Sequence, residues 1–383
     1  MTERLYYHDP YLQEFEATVL QGGERVCLDR TAFYPTSGGQ PFDVGSLGGA
    51  TVLEVIDEED RVVHVLDHAI GAGRVEGRVD WRRRFDHMQQ HTGQHLLSAV
   101  LEDLYKIPTL SFHMGAESSD IEIGTASLNA EQLHRVENRC AEIVMQGIPV
   151  TISFEEFSKD LELRKASTRE GTLRIISIEG VDRSACGGTH VRSTAEIGPV
   201  LLRKLDKVRG NVRLEFVCGG RARKAARADF EKLNEIGRLL SLAPENTVAA
   251  VGSLTEKLKT SEKTIARLTK GLAILEGTEL YSAATPDSSG LRVATQHGAI
   301  DDAMRARAQA FVAGPKALFL AVSEKDASVL FAASKDSGTD AGKLVKDAVT
   351  SVGGRGGGNA TMAQGSVPNK EALEGVVKAI LLR

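Results

Sequence analysis

The chain contains few cysteines, few aromatic side chains and no long apolar run. Its 383 residues include four cysteines, none in a CxxC motif, which excludes a disulfide scaffold and favours a reducing, cytoplasmic location. The longest apolar runs, such as 317–322, are too short to cross a bilayer. The polar N-terminus lacks the apolar core of a secretory signal. No membrane association is therefore expected.

The net charge is also small, and neither sign of charge predominates. A net charge of -5 excludes a basic surface covering the whole protein. Nine Lys and Arg residues nevertheless lie between Arg203 and Ala228. This segment fits either a solvated strand pair with the start of a helix, or a stripe that contacts phosphates.

Four consecutive segments differ in their residue pattern, and together they predict a multidomain α+β protein. Residues 1–84 contain short apolar runs separated by turns, which predicts a small β-barrel. Residues 85–220 combine helical and strand patterns and predict an α+β core. Residues 221–287 are helical and charged, as in a linker, and residues 288–383 alternate strands and helices in a small α/β domain.

A glycine-containing loop interrupts the predicted barrel at residues 31–41. It includes Ser37, Gly38, Gly39 and Gln40. Its glycines allow the backbone to approach another group closely, and a tight turn of the barrel explains them equally well.

The strongest chemical signal is a set of histidines and one cysteine. His87, His91 and His95 follow one another at intervals of four on a helix, and Cys186 and His190 show the same spacing. Residues four apart share a helix face, so an adjacent histidine pair can chelate one metal. His87 lies two turns from His95, about 12 Å along the axis, and is therefore expected outside the site.

We predict one Zn²⁺ per chain, bound by His91, His95, Cys186 and His190, because imidazole and thiolate are preferred zinc ligands. No Glu lies between His91 and His95, which excludes an HExxH protease. Four protein ligands are typical of structural zinc, whereas a catalytic zinc keeps one position open, so both roles remain possible here. The helix is predicted over Phe85–Tyr105, with Asp86 as its N-cap.

The helical linker carries a heptad seam. Its members are spaced alternately three and four residues apart, as in a coiled coil. They are Val251, Leu254, Leu258, Ser261, Ile265, Leu268, Leu272 and Leu275. The seam predicts a homodimer through residues 248–276, and a hairpin with 229–242 across Pro244 is the alternative.

A second glycine-rich segment precedes the last helix. It consists of Gly353, Gly354, Arg355, Gly356, Gly357 and Gly358. Either its backbone amides face a phosphate or RNA, or it is a flexible connection between two helices.

Four motifs in this order carry a family resemblance. His91-Thr-Gly-Gln-His95-Leu-Leu with Cys186-Gly-Gly-Thr-His190 resembles the HxxxH and CxxxH motifs of the alanyl-tRNA synthetase editing domain and its free-standing AlaX relatives. Residues 33–41 look like the Gly-rich motif of the barrel before that domain, and 353–365 are similar to the C-terminal DHHA1 module. The resemblance covers nearly the whole chain and matches the long form of AlaX. The length leaves no room for an aminoacylation domain before the barrel.

This resemblance implies hydrolysis of mischarged tRNA(Ala), chiefly Ser-tRNA(Ala), with Gly-tRNA(Ala) as a second substrate. A pocket for Ala rejects Gly and Ser poorly, so a second, hydrolytic site is needed. By family position, Thr109 is the candidate contact for the Ser hydroxyl. The other implied substrate-binding residues are Ser37, Gly38, Gly39, Gln40, Gly187 and Gly188, and 353–358 are implied to bind tRNA. The alternatives are an RNA-binding or assembly protein with structural zinc, and a deacylase for another aminoacyl-tRNA.

Overall fold

The computed structural model describes residues 1–158, 161–165 and 171–382. The chain divides into two compact units, Met1–Ile236 and Gly237–Arg383. The protein is α+β throughout, with sheets in both units. No helix in the described ranges is long and apolar enough to cross a membrane.

The first unit begins with a closed six-stranded barrel in the order β2-β3-β7-β6-β5-β8. Alternate residues of β2 point inward, so Phe15, Ala17 and Val19 are buried in the barrel interior. Two short strands, β1 and β4, pair in parallel beside the barrel. The strands are β1 (Glu3–Arg4), β2 (Glu14–Gln21), β3 (Gly23–Leu28), β4 (Arg30–Thr31), β5 (Gly45–Leu47), β6 (Ala50–Glu58), β7 (Arg61–Ile70) and β8 (Gly73–Val79).

The rest of the first unit is an α+β core built around helix α1 (Trp81–Tyr105), which is buried over most of its length. Two sheets are present, of four strands in the order β14-β15-β10-β9 and of three in the order β11-β12-β13. The remaining elements are β9 (Thr109–Met114), β10 (Ser119–Ile123), α2 (Ala130–Gln146), β11 (Val150–Glu156), β12 (Thr172–Ile178), β13 (Asp182–Ala185), β14 (Val200–Val208) and β15 (Asn211–Cys218).

Helix α1 starts earlier than the sequence predicts. Its N-cap is Asp80, whose side chain accepts a hydrogen bond from the backbone N–H of Arg83. The prediction of Asp86 as N-cap is therefore wrong. Asp86 lies in the second turn, where its carboxylate pairs with Arg221. A long-range ion pair, which local pattern cannot reveal, explains the acidic residue at this position.

The second unit contains a five-stranded sheet in the order β16-β17-β18-β20-β19, covered by helices on both faces. Helices α6 and α7 pack on one face, and α5 with the end of α4 packs on the other. Helix α3 (Gly219–Leu240) spans the boundary between the units. The other elements are α4 (Thr247–Ala283), β16 (Arg292–His297), α5 (Asp302–Phe311), β17 (Ala317–Ser323), β18 (Ser328–Ala333), α6 (Ala341–Thr350), β19 (Arg355–Gly358), β20 (Met362–Ser366) and α7 (Lys370–Leu381).

Most of the segment 353–358 is a β-strand, and not a flexible connection or a loop. Residues Arg355–Gly358 form the edge strand β19, which pairs with β20. A Cβ at Gly356 would lie 3.0 Å from Val349 on α6, and one at Gly358 would lie 2.3 Å from the carbonyl oxygen of Met362. The glycines therefore allow the hairpin to pack closely, although glycine by itself disfavours strands.

Helix α4 carries the predicted heptad seam as one continuous helix, and Pro244 lies in a 3₁₀ turn before it, which confirms the predicted break. The apolar residues of the seam are exposed, with Leu258 and Leu268 about three-fifths accessible. The C-terminal end of α4 is covered, because Gly277 packs against the backbone of Arg307 on α5. The homodimer that would cover the exposed part of the seam stays a prediction.

Candidate metal centre

The four predicted ligands meet at one point in the first unit. His91 and His95 come from α1, and Cys186 and His190 come from the turn after β13. One ligand atom of each residue lies within 4.8 Å of the others. Cys186 Sγ is 3.5 Å from His91 Nε2 and 3.3 Å from His190 Nε2.

Each histidine is oriented by a partner on the outer side of its ring. His91 Nδ1 is 2.8 Å from Gln40 Oε1, and His95 Nδ1 is 2.8 Å from Asp182 Oδ2. His190 Nδ1 is 3.1 Å from Thr92 Oγ1, which also accepts the N–H of Val191. Gln40 Oε1 and Asp182 Oδ2 can only accept hydrogen bonds, so Nδ1 of His91 and of His95 carries a proton, and Nε2 is left as the atom of each ring that could bind a metal.

The electrostatics of the cluster favour metal binding. Burial raises the pKa of the Cys186 thiol, but His91 and His190 outweigh it and bring the pKa well below its ordinary value. Burial lowers the pKa of His190 to about 3, so this ring stays neutral. For His95, burial is the largest single effect and opposes protonation, but hydrogen bonds and charge interactions with Asp182 and Cys186 together outweigh it and raise the pKa to about 9. A metal must therefore displace a proton from His95 on binding.

The carboxylate behind His95 is itself held in the charged form. Burial raises the pKa of Asp182, but His95 and Arg164 more than offset this and lower it to about 2. Arg164 Nε is 2.6 Å from Asp182 Oδ1, and the hydroxyl of Ser184 donates to the same carboxylate. Asp182 is thus a fixed negative charge aimed at the ligand ring.

The donor set fits zinc. A tetrahedral Zn²⁺ with bonds of about 2.0–2.3 Å separates its ligand atoms by roughly 3.3–3.8 Å, as found for Cys186 and its two histidine neighbours. Gly188 is required in this arrangement, because a Cβ there would lie 2.1 Å from Cε1 of His91. His87 is not among the clustered ligands. It is buried, and its Nδ1 has no hydrogen-bond partner.

The barrel loop reaches the metal centre through Gln40. Besides binding His91, its amide oxygen accepts the N–H of Thr189 and its nitrogen donates to the Thr189 hydroxyl. Gln40 is fully buried, so all three contacts fix the ligand framework. Gly39 packs against β9, where a Cβ would lie 2.6 Å from the carbonyl oxygen of Phe112. Ser37 and Gly38, at the tip of the loop, are exposed.

The other predicted contacts are placed as follows. Thr109 donates to Ser98 Oγ at 2.6 Å, and Ser98 also accepts from Gln94 on α1. The N–H of Gly188 donates to Cys186 Sγ at 3.3 Å, so it supports the thiolate. Gly187 lies beside the hydroxyl of Tyr7. Residues 353–358 belong to the second unit.

Sequence reasoning missed the residues that orient the ligands. Asp182 and Ser184 are polar residues at alternate, buried positions of β13, four and two residues before Cys186. Polar side chains at positions where a strand faces a core are a signal of a site. Thr92 lies inside the HxxxH motif, and its position there gives no sign of its contact with His190.

Comparison with known proteins decides the family. The chain is 32% identical to the alanyl-tRNA editing protein AlaX-L of Pyrococcus horikoshii, over 97% of this chain and 96% of that protein. The chain belongs to the AlaX family. Residues 173–215 match the "Threonyl and Alanyl tRNA synthetase second additional domain" and residues 292–382 match the DHHA1 domain.

Other relatives of this AlaX-type chain share parts of their length with it. It is 34% identical to the alanyl-tRNA editing protein Aarsd1-B of Xenopus laevis, over 68% of this chain and 65% of that protein. It is 30% identical to an alanine–tRNA ligase of Pyrococcus abyssi, where the match covers 99% of this chain and 44% of the ligase. The resemblance inferred from the motifs is thereby confirmed.

Proposed function

We propose that the protein is a trans-editing deacylase that hydrolyses Ser-tRNA(Ala), with Gly-tRNA(Ala) as a second substrate. The observation that carries the proposal is the cluster of His91, His95, Cys186 and His190, with every histidine ring oriented from outside. The relatives named alanyl-tRNA editing protein support the substrate class. The bond cleaved is the ester between the amino acid and the terminal ribose.

The four residues would hold one Zn²⁺, which when bound supplies a Lewis acid beside the ester. The protein's own residues orient the site. Asp182 and Gln40 keep two imidazoles in the binding tautomer, and Gly188 supports the thiolate through its N–H. Such outer partners typically raise metal affinity 10- to 100-fold, since they fix the ligand geometry in advance.

Thr109 is our candidate for the contact that selects a Ser hydroxyl. Its hydrogen-bond chain to Ser98 and Gln94 holds the Thr109 oxygen in place on β9. A Ser-tRNA hydroxyl could donate to the Thr109 oxygen, whereas Ala would leave that acceptor unused. An unpaired buried polar group costs about 1–3 kcal/mol, or roughly 5- to 150-fold in discrimination.

We further propose that the second unit contributes tRNA affinity and dimerisation. Residues Arg355–Gly358 are an exposed edge strand whose three glycines leave backbone groups accessible. Arg355 can form two parallel hydrogen bonds to a phosphate. The exposed seam of α4 needs a second apolar surface, and another copy of the chain supplies a matching one.

The test is a panel of radiolabelled aminoacyl-tRNAs incubated with purified protein, with and without chelator. We expect release of Ser from tRNA(Ala), slower release of Gly, sparing of Ala-tRNA(Ala), and loss of activity on metal removal. Cys186→Ala should abolish both zinc content and hydrolysis. Cys27→Ala, a buried barrel cysteine outside the cluster, is the matched control, and His87→Ala should keep its zinc.

The closed set of four protein ligands favours a second candidate, an RNA-binding protein with structural zinc. Binding of tRNA(Ala) and full zinc content without hydrolysis of any aminoacyl-tRNA would select that candidate. Full zinc content in both Cys186→Ala and His95→Ala would refute the metal centre itself.

A further inference from the structure

Arg174 on β12 lies directly behind the ligand turn. Its guanidinium bonds only to backbone carbonyls in the described part of the chain. Nε donates to Tyr7 at 2.9 Å, and Nη1 donates to Cys186 at 2.7 Å and to Gly188 at 2.9 Å. One side chain thus joins a metal ligand, the turn that follows it and the N-terminal segment of the chain.

Burying Arg174 in this way costs free energy of folding, so a contribution to stability does not explain it. Arg174 is 8% exposed, and no carboxylate among the described residues pairs with it. Its Nη2 is buried without a hydrogen-bond partner. Arg84, which is also buried, has Asp43 as a counter-charge. The guanidinium is therefore buried without a carboxylate, and one of its nitrogens makes no hydrogen bond. We look for the reason in the site that it supports.

The contacts of Arg174 orient the ligand turn. They hold the carbonyls of Cys186 and Gly188 on the guanidinium side, while the N–H of Gly188 and the Cys186 thiol meet at the metal cluster. Tyr7 completes the support. Its ring centroid lies 5.4 Å from the Arg174 guanidinium, and its hydroxyl borders Gly187.

We propose that Arg174 is a positioning residue of the metal centre, which holds Cys186 in place through the turn carbonyls and anchors that turn to the segment Leu5–Tyr7. The three carbonyls are reached from two nitrogens of one planar guanidinium, which holds its donors in a fixed fork, whereas a lysine ammonium offers its donors from a single nitrogen on a flexible stem. The effect on zinc stands independently of the substrate, whereas the effect on turnover rests on the proposed function.

The experiment measures zinc transfer from the full-length protein to a competing chelator. We expect zinc to bind 10- to 100-fold more weakly to Arg174→Met than to wild type, as for loss of an outer partner, with Arg174→Lys in between. Arg139→Met removes an exposed arginine of α2 that pairs with Glu142 and is the matched control. Circular dichroism of each variant shows whether it is folded, and the Co²⁺ spectrum reports the thiolate–metal bond.

A second readout separates positioning from a general structural role. On Ser-tRNA(Ala), Arg174→Lys should lower kcat and leave KM within twofold, because the fork acts on the metal ligand and not on tRNA. If the Arg174 variants bind zinc more weakly but the wild-type protein deacylates no aminoacyl-tRNA, the proposed function is refuted and the positioning role of Arg174 stands.

Three results would overturn the inference. They are a wild-type protein that binds no zinc, wild-type zinc affinity in a folded Arg174→Met protein, and wild-type affinity and Co²⁺ spectrum in Arg174→Lys. If Arg174→Met does not fold, the lysine variant alone decides, since it keeps the charge and most of the volume.

Discussion

A buried ion pair joins the barrel to the helix that carries His91 and His95, and its removal is a sharp test of the fold. Arg84 of α1 contacts both carboxylate oxygens of Asp43, and its remaining donors go to the carbonyls of Pro10 and Ala32. Both charged side chains are 0% exposed. Replacing Arg84 by Met keeps most of the apolar stem and removes every one of these contacts.

The expected cost follows from what is left behind. Arg84→Met leaves a buried carboxylate that retains only the N–H of Tyr34 among its hydrogen-bond donors in the described structure. Breaking one side of a buried pair typically destabilises a protein by about 3–5 kcal/mol. Because a domain is stable by only about 5–15 kcal/mol, this loss is a large part of the total.

Urea unfolding followed by circular dichroism measures the change. The matched control is Arg82→Met, an exposed arginine on the same helix, which should change stability by less than about 0.5 kcal/mol. Adding Asp43→Asn to Arg84→Met should recover part of the loss, because it removes the unpaired charge. A loss below about 1 kcal/mol in Arg84→Met would refute the assignment of this pair as the join between barrel and core.

Three further predictions concern metal, tRNA and assembly. Asp182→Asn should weaken zinc binding 10- to 100-fold in a chelator competition. Glu156→Gln, which removes an exposed charge on β11, should not, and equal affinities of the two variants would contradict the role of Asp182. Removing 288–383 should raise KM for Ser-tRNA(Ala) and spare single-turnover hydrolysis at saturation, and unchanged tRNA affinity would disprove this division. Replacing both Leu258 and Leu268 by Asp should convert the dimer to monomers, as measured by light scattering. A wild-type protein that is monomeric at micromolar concentration would exclude the dimer.

The clustering of four candidate ligands could be predicted because their spacing reflects local geometry. His91 and His95 share a helix face, and Cys186 and His190 have the same separation in a glycine-containing turn. Together the two pairs supply the nitrogen and sulfur atoms that zinc prefers, which can be recognised without knowing the fold. Gln40 was also identified, but as a substrate contact, whereas its buried side chain binds His91 and Thr189.

The segment at Arg355–Gly358 shows where local preference fails. Glycine weakens strands through its backbone entropy, and the sequence therefore indicated a loop. In the structure β19 pairs with β20 beneath α6, and the close approach of Val349 leaves no room for a Cβ at Gly356. Tertiary packing overrides the local preference, and the glycines are needed because of that packing.

By itself, the sequence determined the order of barrel, core, helical linker and α/β domain, and the identity of four clustered ligands. Both depend on periodicity and short spacing, which act within a few turns or strands of the chain. Only the tertiary structure decided which groups stand behind the ligands. Gln40 and Asp182 lie 51 and 87 residues from the histidines that they contact. Arg174 reaches the turn after β13 from the strand paired with β13. These contacts are set by packing of the whole unit, and the spacing of the motifs does not reveal them.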